Sequence, residues 1–320
     1  MDFSESGDLL ENIFKGDVRS LARAITRVEN RSADGTELLQ RIYPHTGKSQ
    51  IIGITGSPGS GKSSLVDRLA TLYRRKNKTL AIVAIDPSSP FSGGAVLGDR
   101  IRMNALATDP GVFIRSMATR GHLGGLANAT ADVVSVLDAA SRDPILVETV
   151  GVGQDEIDIV KLADVSVVVL VPGMGDDIQA LKAGIMEIGD VFVINKCDRP
   201  GVENMERAVQ SLLSLAHRPD GWIPPIIKTI ATEDRGIEEL AESIHQSYEH
   251  SQTTSLRMEK RRDAARQRLT NLLREQLVHK AVETVFPGDG LEKLIDRIAR
   301  RETDPYTIVD LIVRGARFDT

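Results

Sequence analysis

The glycine-rich loop GSPGSGKS, residues 56–63, limits the possible folds of this chain more than any other segment. An apolar run, 51–54, precedes the loop, and apolar residues at helical spacing follow it through 65–72. In a strand–loop–helix unit of this kind, the backbone N–H groups of the loop and the positive end of the helix face phosphate oxygens. The lysine reaches the β- and γ-phosphates, and the serine after it ligates Mg²⁺. The sequence therefore predicts that residues 56–63 bind the phosphates of a nucleotide.

The region around this loop alternates short apolar runs with helical patterns, which is typical of an α/β fold with a doubly wound, mainly parallel sheet. Most of the runs are rich in Val and Ile, as strands buried on both faces should be. We predict an N-terminal helical segment over 1–46, the α/β domain over 47–250 and a C-terminal helical arm over 251–320. The apolar stripe of that arm needs a partner, either the α/β domain or the same arm in a second copy. The predicted strands are 51–55, 80–85, 112–115, 145–150, 165–171, 191–195 and 226–230.

The charge and the cysteine content narrow the choice of partners and compartment. The net charge is −5, which gives no reason to expect a nucleic acid or a membrane as partner. The single cysteine, Cys197, cannot form an internal disulfide. The longest apolar run, 165–171, fits a buried strand and is too short for a membrane span. Because the first residues are acidic and unlike a signal or transit peptide, we expect a cytoplasmic protein.

An acidic residue at a strand end supplies the next candidate. Glu148 lies near the end of the strand predicted at 145–150, where a Mg–nucleotide needs a carboxylate beside the phosphate loop. Gly151 follows in the next loop, where its backbone N–H can meet the γ-phosphate. The alternative is an ordinary surface glutamate at a strand end. The phosphate loop favours the functional interpretation.

Two aspartates in a loop rich in Gly and Pro are further candidates for the metal shell. Asp86 directly follows the strand predicted at 80–85, and Asp99 lies further along the same loop. Such a segment has little core of its own and is of the kind that a γ-phosphate orders. Mg²⁺ seldom binds more than about two carboxylates directly, so we expect mostly water-bridged contacts from Asp86, Asp99 and Glu148. For Asp99, a helix cap or an ion pair with a neighbouring arginine stays open.

The sequence Asn-Lys-Cys-Asp at 195–198 ends another predicted strand and fits the guanine-reading motif of GTPases. The Asp198 carboxylate can accept from both guanine N1–H and the 2-amino group. Adenine would leave it unpaired, at a cost of roughly 1–3 kcal/mol. Lys196 would pack along the ring, and Asn195 would brace the loop. This motif predicts that the nucleotide is GTP or GDP.

The candidate site therefore draws on several strand ends of one sheet. Backbone N–H groups at the end of the strand 226–230 would reach guanine O6. The nucleotide-binding candidates are Gly56, Ser57, Pro58, Gly59, Ser60, Gly61, Lys62, Ser63, Ser64, Gly151, Asn195, Lys196, Asp198, Ala231 and Thr232. The metal candidates are Ser63, Asp86, Asp99 and Glu148. The catalytic candidates include Lys62, Asp99, Glu148 and Gln154, the last as a possible water-positioning residue.

Several segments are shared with one family of GTPases. They are DPSSP at 86–90, GGA at 93–95, LGDRIRM at 97–103, ETVGVGQ at 148–154 and GMGDDIQALKAG at 173–184. With them the chain resembles, over nearly its whole length, the MeaB/MMAA family, whose relatives were once called ArgK. The resemblance implies a P-loop GTPase fold of the SIMIBI class, Mg²⁺ as cofactor and a homodimer held partly by the C-terminal arms.

The resemblance also implies a partner and roles for single residues. The partner would be an adenosylcobalamin-dependent acyl-CoA mutase, chiefly methylmalonyl-CoA mutase. GTP hydrolysis by this chain would gate the loading of the cofactor into the mutase, and the chain would protect or reactivate the mutase. The matching nucleotide, metal and base residues are Lys62, Ser63, Asp86, Asp99, Glu148, Asn195, Lys196 and Asp198. Segment 176–182 matches a switch that reports the nucleotide state, which adds Lys182 to the catalytic candidates. From the residues alone, a plain turn and helix cap is the simpler interpretation of that segment.

Three other functions stay open. A nickel-insertion GTPase would share the fold but would normally carry clustered Cys and His ligands. A kinase for a small molecule or a protein would share the phosphate loop, although the guanine motif argues against it. The basic segment 257–274 offers a possible contact for nucleic acid, but such a segment is more often a solvated helix face.

Overall fold

The computed structural model of the chain describes residues 3–86, 104–118, 125–149, 151, 162–173, 189–215, 218, 220–254, 256–286 and 290–315. Two compact units divide the chain, Met1–Arg261 and Arg262–Thr320. The first unit contains the sheet and the helices that cover it. Within the described ranges, no helix is both long enough and apolar enough to cross a membrane.

The strands are β1 (Ile51–Gly56), β2 (Leu80–Asp86), β3 (Val112–Ala118), β4 (Ile145–Glu148), β5 (Val165–Leu170), β6 (Val191–Asn195) and β7 (Ile226–Thr229). They form one sheet in the order β3-β2-β4-β1-β5-β6-β7, and each neighbouring pair is parallel. The predicted doubly wound α/β fold is therefore confirmed. The carboxyl ends of all these strands lie at one edge of the sheet, where folds of this class bind their ligands.

Most of the strands are largely apolar because helices cover both faces of the sheet. Every residue of β4, β5 and β6 is buried, including Glu148 at the end of β4. Such burial explains the runs of Val and Ile, which pack well on a pleated surface that never meets water. β3 continues to Ala118, beyond the predicted end at residue 115, because β2 offers it a partner as far as the Asp86–Ala118 pair.

The helices of the described chain are α1 (Phe3–Phe14), α2 (Val18–Glu29), α3 (Ala33–Ile42), α4 (Lys62–Arg75), α5 (Asn104–Ala107), α6 (Gly125–Ala139), α7 (Val202–Leu215), α8 (Ile237–Thr253), α9 (Leu256–Val285), α10 (Gly290–Ala299) and α11 (Pro305–Gly315). Helices α1 to α3 share a hydrophobic core with α6 and one face of the sheet. Ile25 of α2 and Val136 of α6 are fully buried in it. Asp17 caps α2, since its carboxylate accepts the Ser20 N–H at 2.7 Å.

The second unit contains most of α9, followed by α10 and α11. Asp304 caps α11 by accepting the Thr307 N–H at 2.9 Å. Along the part of α9 that belongs to this unit, three large apolar side chains are more than half exposed: Leu269 at 59%, Leu273 at 51% and Val278 at 58%. Exposed apolar side chains in one stretch of a helix often mark an interface. They are the feature on which the predicted dimerisation depends.

Charged side chains attach the first turn of α9 to the amino ends of the strands. Asp164 and Asp190 directly precede β5 and β6, and each accepts a backbone N–H of the sheet at 3.0 Å. Arg257 Nε donates to Asp164 Oδ1 at 3.2 Å, and Lys260 Nζ donates to Asp190 Oδ2 at 3.1 Å. The beginning of α9 is therefore bonded to the edge of the sheet opposite the carboxyl ends.

Candidate functional site

The loop between β1 and α4 is held close to its neighbours by glycines. Gly56 has φ +145°, and a Cβ there would lie 2.1 Å from Val169 O. Gly61 has φ +92°, and a Cβ there would lie 2.4 Å from Asn195 Nδ2. A side chain at either position would push the loop away from β5 or from the end of β6. Only glycine allows this loop to lie against both strands at the N-terminus of α4, which is a place suited to anions.

Lys62 begins α4 and is buried, with 6% of its surface exposed. Its ammonium group donates to Gly56 O at 2.7 Å and to Ser57 O at 3.1 Å. A buried charge needs such partners, because burial without them costs several kcal/mol. The cation is therefore held at the loop that is expected to bind phosphates.

Ser63 and Glu148 meet although 85 positions separate them in the chain. The Ser63 hydroxyl donates to Glu148 Oε1 at 2.6 Å, and Glu148 is 4% exposed. A hydroxyl that donates to an ionised carboxylate forms a short, strong hydrogen bond. The parallel register places the two side chains together, because β4 pairs with β1 through Ile54 and Glu148.

This pair fits a magnesium ion by the chemistry of its donors. A hydroxyl oxygen and a carboxylate oxygen are the hard ligands that Mg²⁺ takes, usually together with water and phosphate oxygens. Ser63 and Glu148 present both kinds of oxygen within hydrogen-bond distance of each other. They are therefore the described residues that would hold the ion, where it would neutralise charge on the phosphates.

Gly151 lies against the phosphate loop. A Cβ at this position would be 2.3 Å from Gly56 O, 2.7 Å from Lys62 Nζ and 2.9 Å from Pro58 N. The backbone also has φ +99°, a conformation that side chains disfavour. Glycine at 151 therefore brings the segment after β4 into direct contact with the loop.

Asn195 connects the base-reading motif to two neighbouring segments. Its Nδ2 donates to Ser60 O at 2.9 Å, and its Oδ1 accepts from Thr229 Oγ1 at 3.0 Å and from the Ala231 N–H at 3.3 Å. The side chain is buried, with 2% exposed. Since every polar atom of the amide has a partner, its orientation is fixed. In this structure the Ala231 N–H thus contacts Asn195.

The rest of the motif combines a bonded lysine with an exposed aspartate. Lys196 has φ +57°, and its Nζ donates to Gly59 O at 2.7 Å. Asp198 lies exposed in the turn that follows β6. Between them, the Cys197 thiol lies 2.9 Å from Ile194 O, and burial raises the pKa of this thiol. The thiol is therefore mostly protonated at neutral pH.

The remaining predicted site residues are exposed, lie at the end of a described range, or fall outside the described residues. Asp86 ends β2, so its backbone lies at the same edge of the sheet, but its side chain is not among those described. Ser64 and Thr232 are exposed. Asp99, Gln154 and Lys182 lie outside the described residues.

The sequence patterns do not single out three buried threonines that border the site. Thr55 precedes Gly56, Thr149 follows Glu148, and Thr229 ends β7. Thr149 Oγ1 lies 3.1 Å from Thr55 Oγ1, and Thr229 supports Asn195. A hydroxyl next to an otherwise apolar buried strand is the sequence signal that would have indicated them, because a buried polar group needs a partner.

The chain matches known proteins over most of its length. The family model described as Methylmalonyl Co-A mutase-associated GTPase MeaB matches residues 21–285. A putative GTPase of Pyrococcus abyssi is 47% identical over 310 residues, which are 96% of this chain and 95% of the relative. The GTPase ArgK of Escherichia coli is 35% identical over 292 residues, 89% of this chain and 87% of the relative. The crystal structure of a LAO/AO transport system kinase has a TM-score of 0.71 at 25% identity and covers 98% of both chains.

The matched residues 21–285 contain the phosphate loop, the Ser63–Glu148 pair and the guanine-reading motif. The sequence matches and the architecture of the site thus lead to the same family. This chain belongs to the MeaB family of methylmalonyl-CoA mutase-associated GTPases.

Proposed function

We propose that this chain hydrolyses GTP to GDP and phosphate, and that its nucleotide state gates the loading of adenosylcobalamin into an acyl-CoA mutase. The chain would also protect or reactivate that mutase. The Ser63–Glu148 hydrogen bond next to Lys62 carries the first part, because it unites a hydroxyl, a carboxylate and an ammonium group at one phosphate loop. The family description, which names methylmalonyl-CoA mutase, supports the second part.

The proposed reaction is an in-line attack of water on the γ-phosphorus. The bond from that phosphorus to the β–γ bridging oxygen breaks, and GDP leaves. Loop N–H groups and the Lys62 ammonium group offset the charge that grows on the phosphate oxygens. Ser63 and Glu148 would hold Mg²⁺, which would supply further positive charge there. Gln154 remains the candidate that orients the water, and Asp86 and Asp99 remain candidates for water-bridged support of the ion.

The proposed preference for guanine depends on the motif at 195–198. Asp198 is exposed in its turn, so that a ligand can reach its carboxylate. Asn195 and Lys196 fix the turn by bonds to Ser60 O and Gly59 O. A base without the N1–H and 2-amino donors would desolvate the carboxylate without replacing its hydrogen bonds, which disfavours ATP.

The proposed client interaction has a direct test. The purified chain, loaded with a non-hydrolysable GTP analogue, is used to capture proteins from an extract of its own cells. A cobalamin-dependent mutase should be enriched with the analogue and not with GDP, and Lys62→Ala should lose the difference. A mutase that is absent from every fraction would refute the partner. Transfer of labelled γ-phosphate to an acceptor other than water would refute hydrolysis and favour a kinase.

The proposed dimer depends on the exposed apolar residues of α9, within the arm over 251–320. Truncation after Arg261 removes Leu269, Leu273 and Val278 but keeps the bonds from Arg257 and Lys260 to the sheet. We expect the full chain to have twice the monomer mass in light scattering and the truncated chain to be monomeric while still binding GTP. A truncated chain that stays dimeric would contradict this role of the arm.

A further inference from the structure

The residue after Glu148 is attached to β1 at two atoms. The Thr149 N–H donates to Ile54 O at 3.0 Å. Thr149 Oγ1 lies 3.1 Å from Thr55 Oγ1 and, at a longer distance of 3.4 Å, also faces Ile54 O. Both threonines are buried, with 2% and 1% exposed. The hydroxyl pair therefore connects two strand ends in a region that water does not reach.

The two strand ends carry opposite sides of the candidate site. Glu148, which precedes Thr149, accepts from Ser63 on the metal side. Gly151, two residues after Thr149, lies against Lys62 and Gly56 on the phosphate side, with no room for a Cβ. Thr55 directly precedes Gly56, the first residue of the phosphate loop. A shift of Thr149 relative to Thr55 would thus displace both contacts.

We propose that Thr149 is a positioning residue that acts through Thr55 to set the distance between Gly151 and the phosphate loop. The inference rests on the proposed function, because Gly151 is expected to meet the γ-phosphate and GDP has none. The Thr149–Thr55 contact therefore controls the step that requires the γ-phosphate more than it controls the binding of GDP.

Thr149→Val isolates the hydroxyl. Valine keeps the volume and the branched Cβ of threonine and removes only the polar atom. We expect kcat for GTP hydrolysis to fall about five- to tenfold, as the loss of one buried hydrogen bond implies. The Kd for GDP should change less than about twofold, since GDP does not reach Gly151. Thr149→Ser, which keeps the hydroxyl, should recover most of kcat.

Thr130→Val is the matched control. Thr130 is a fully buried threonine of α6 whose hydroxyl contacts Met117 Sδ at 3.8 Å. Met117 lies on β3, which β2 separates from the strands β4 and β1 that carry the Thr149–Thr55 pair. This variant should keep both kcat and GDP affinity. Thermal melting of each variant shows whether the fold is retained.

The outcomes separate this inference from the proposed function. If the wild-type chain hydrolyses GTP and Thr149→Val has the same kcat, the inference is overturned and the proposed function stands. Parallel losses of kcat and GDP affinity, or a failure of serine to restore kcat, also overturn it, because they indicate a merely structural role. A wild-type chain that neither binds nor hydrolyses GTP overturns the proposed function and this inference with it.

Discussion

Lys260 Nζ lies 3.1 Å from Asp190 Oδ2, so that the first turn of α9 is bonded to the residue that precedes β6. The Asp190 carboxylate is 3% exposed and also accepts the Ser166 N–H at 3.0 Å and an Arg218 N–H at 2.8 Å. One buried carboxylate thus joins a helix, a strand and a loop. Loss of this group leaves several donors without their acceptor.

Asp190→Asn should therefore destabilise the fold more than Lys260→Met does. We expect the free energy of unfolding to fall by about 3 kcal/mol for the first, which breaks a buried charge network. The second should cost about 1 kcal/mol or less, because Lys260 is partly solvated. Urea denaturation measures both, and Glu11→Gln, in an exposed ion pair with Lys15, serves as the control. Equal losses for the two variants would contradict the proposed importance of the carboxylate.

Lys62→Ala should lose GTP hydrolysis and weaken GTP binding about 10- to 100-fold, as the removal of charge-assisted hydrogen bonds to phosphate implies. The fold should persist, since the bonds from Lys62 to Gly56 O and Ser57 O join residues of the same loop and helix start. Isothermal titration calorimetry and phosphate release measure the effects. Lys76→Ala, at the exposed C-terminal end of α4, is the matched control and should behave as wild type. Retained GTPase activity in Lys62→Ala would refute the assignment of the phosphate loop.

Asp198→Asn should weaken GTP and favour xanthosine triphosphate. The base of that nucleotide has an oxo group where guanine has an amino group, so it needs a donor where GTP needs an acceptor. Competition binding with the two nucleotides measures the ratio of affinities. An unchanged ranking in the variant would contradict the guanine assignment.

Gly151→Ala should reduce hydrolysis at least about tenfold, because a Cβ would overlap Gly56 O and move the segment off the loop. Gly221→Ala separates this overlap from backbone strain. Gly221 also has a positive φ, +69°, but a Cβ there meets nothing within 4 Å. Both variants should lose some stability, measured by melting, and only Gly151→Ala should lose turnover. Equal turnover in the two variants would contradict the role of the close approach.

Asp109 should make stability depend on acid pH. Arg74 Nε donates to Asp109 Oδ2 at 2.9 Å and the Gly111 N–H donates to Oδ1 at 2.7 Å, and these bonds hold the pKa of the carboxyl below its ordinary value of 3.8. Because the folded pKa lies below the unfolded one, the contribution is complete above the unfolded pKa and is lost as the pH falls through the folded pKa.

Asp109→Asn should accordingly be less stable than wild type at neutral pH, and the difference should shrink in acid. Urea denaturation at a series of pH values measures the two curves. Parallel curves down to the acid limit would contradict the linkage of this carboxyl to folding.

Local patterns were sufficient for the strands, the loop at 56–63 and the side-by-side placement of the strand ends. The apolar run of β5 and the glycines of the loop can each be interpreted from a few neighbouring residues. Ser63 and Glu148 were placed in one site because parallel strands end at one edge, and the structure brings them together. The roles of these residues in binding and catalysis stay predictions.

Contacts that depend on the register of the strands could not be predicted from the sequence. Thr55 and Thr149 are 94 positions apart, and Asp190 and Lys260 are 70 apart. Neither pair lies within a single motif, and each forms only because the strands pair at one offset and the helix begins at one place. Because these strands are buried on both faces, they lack the apolar–polar alternation that would fix the offset. Hydroxyl pairs and buried ion pairs therefore became visible only in three dimensions.

The bonds from Asn195 and Lys196 into the phosphate loop limit how nucleotide choice can be engineered. Both side chains donate to carbonyl oxygens of that loop, at Ser60 and Gly59. A substitution of Asn195 or Lys196 that is meant to admit a different base would also remove a bond to the phosphate loop. It would therefore weaken the binding of every nucleoside triphosphate, whatever its base. A variant that prefers a different base should therefore be made by substituting Asp198, because this change leaves the bonds from Asn195 and Lys196 to the phosphate loop in place.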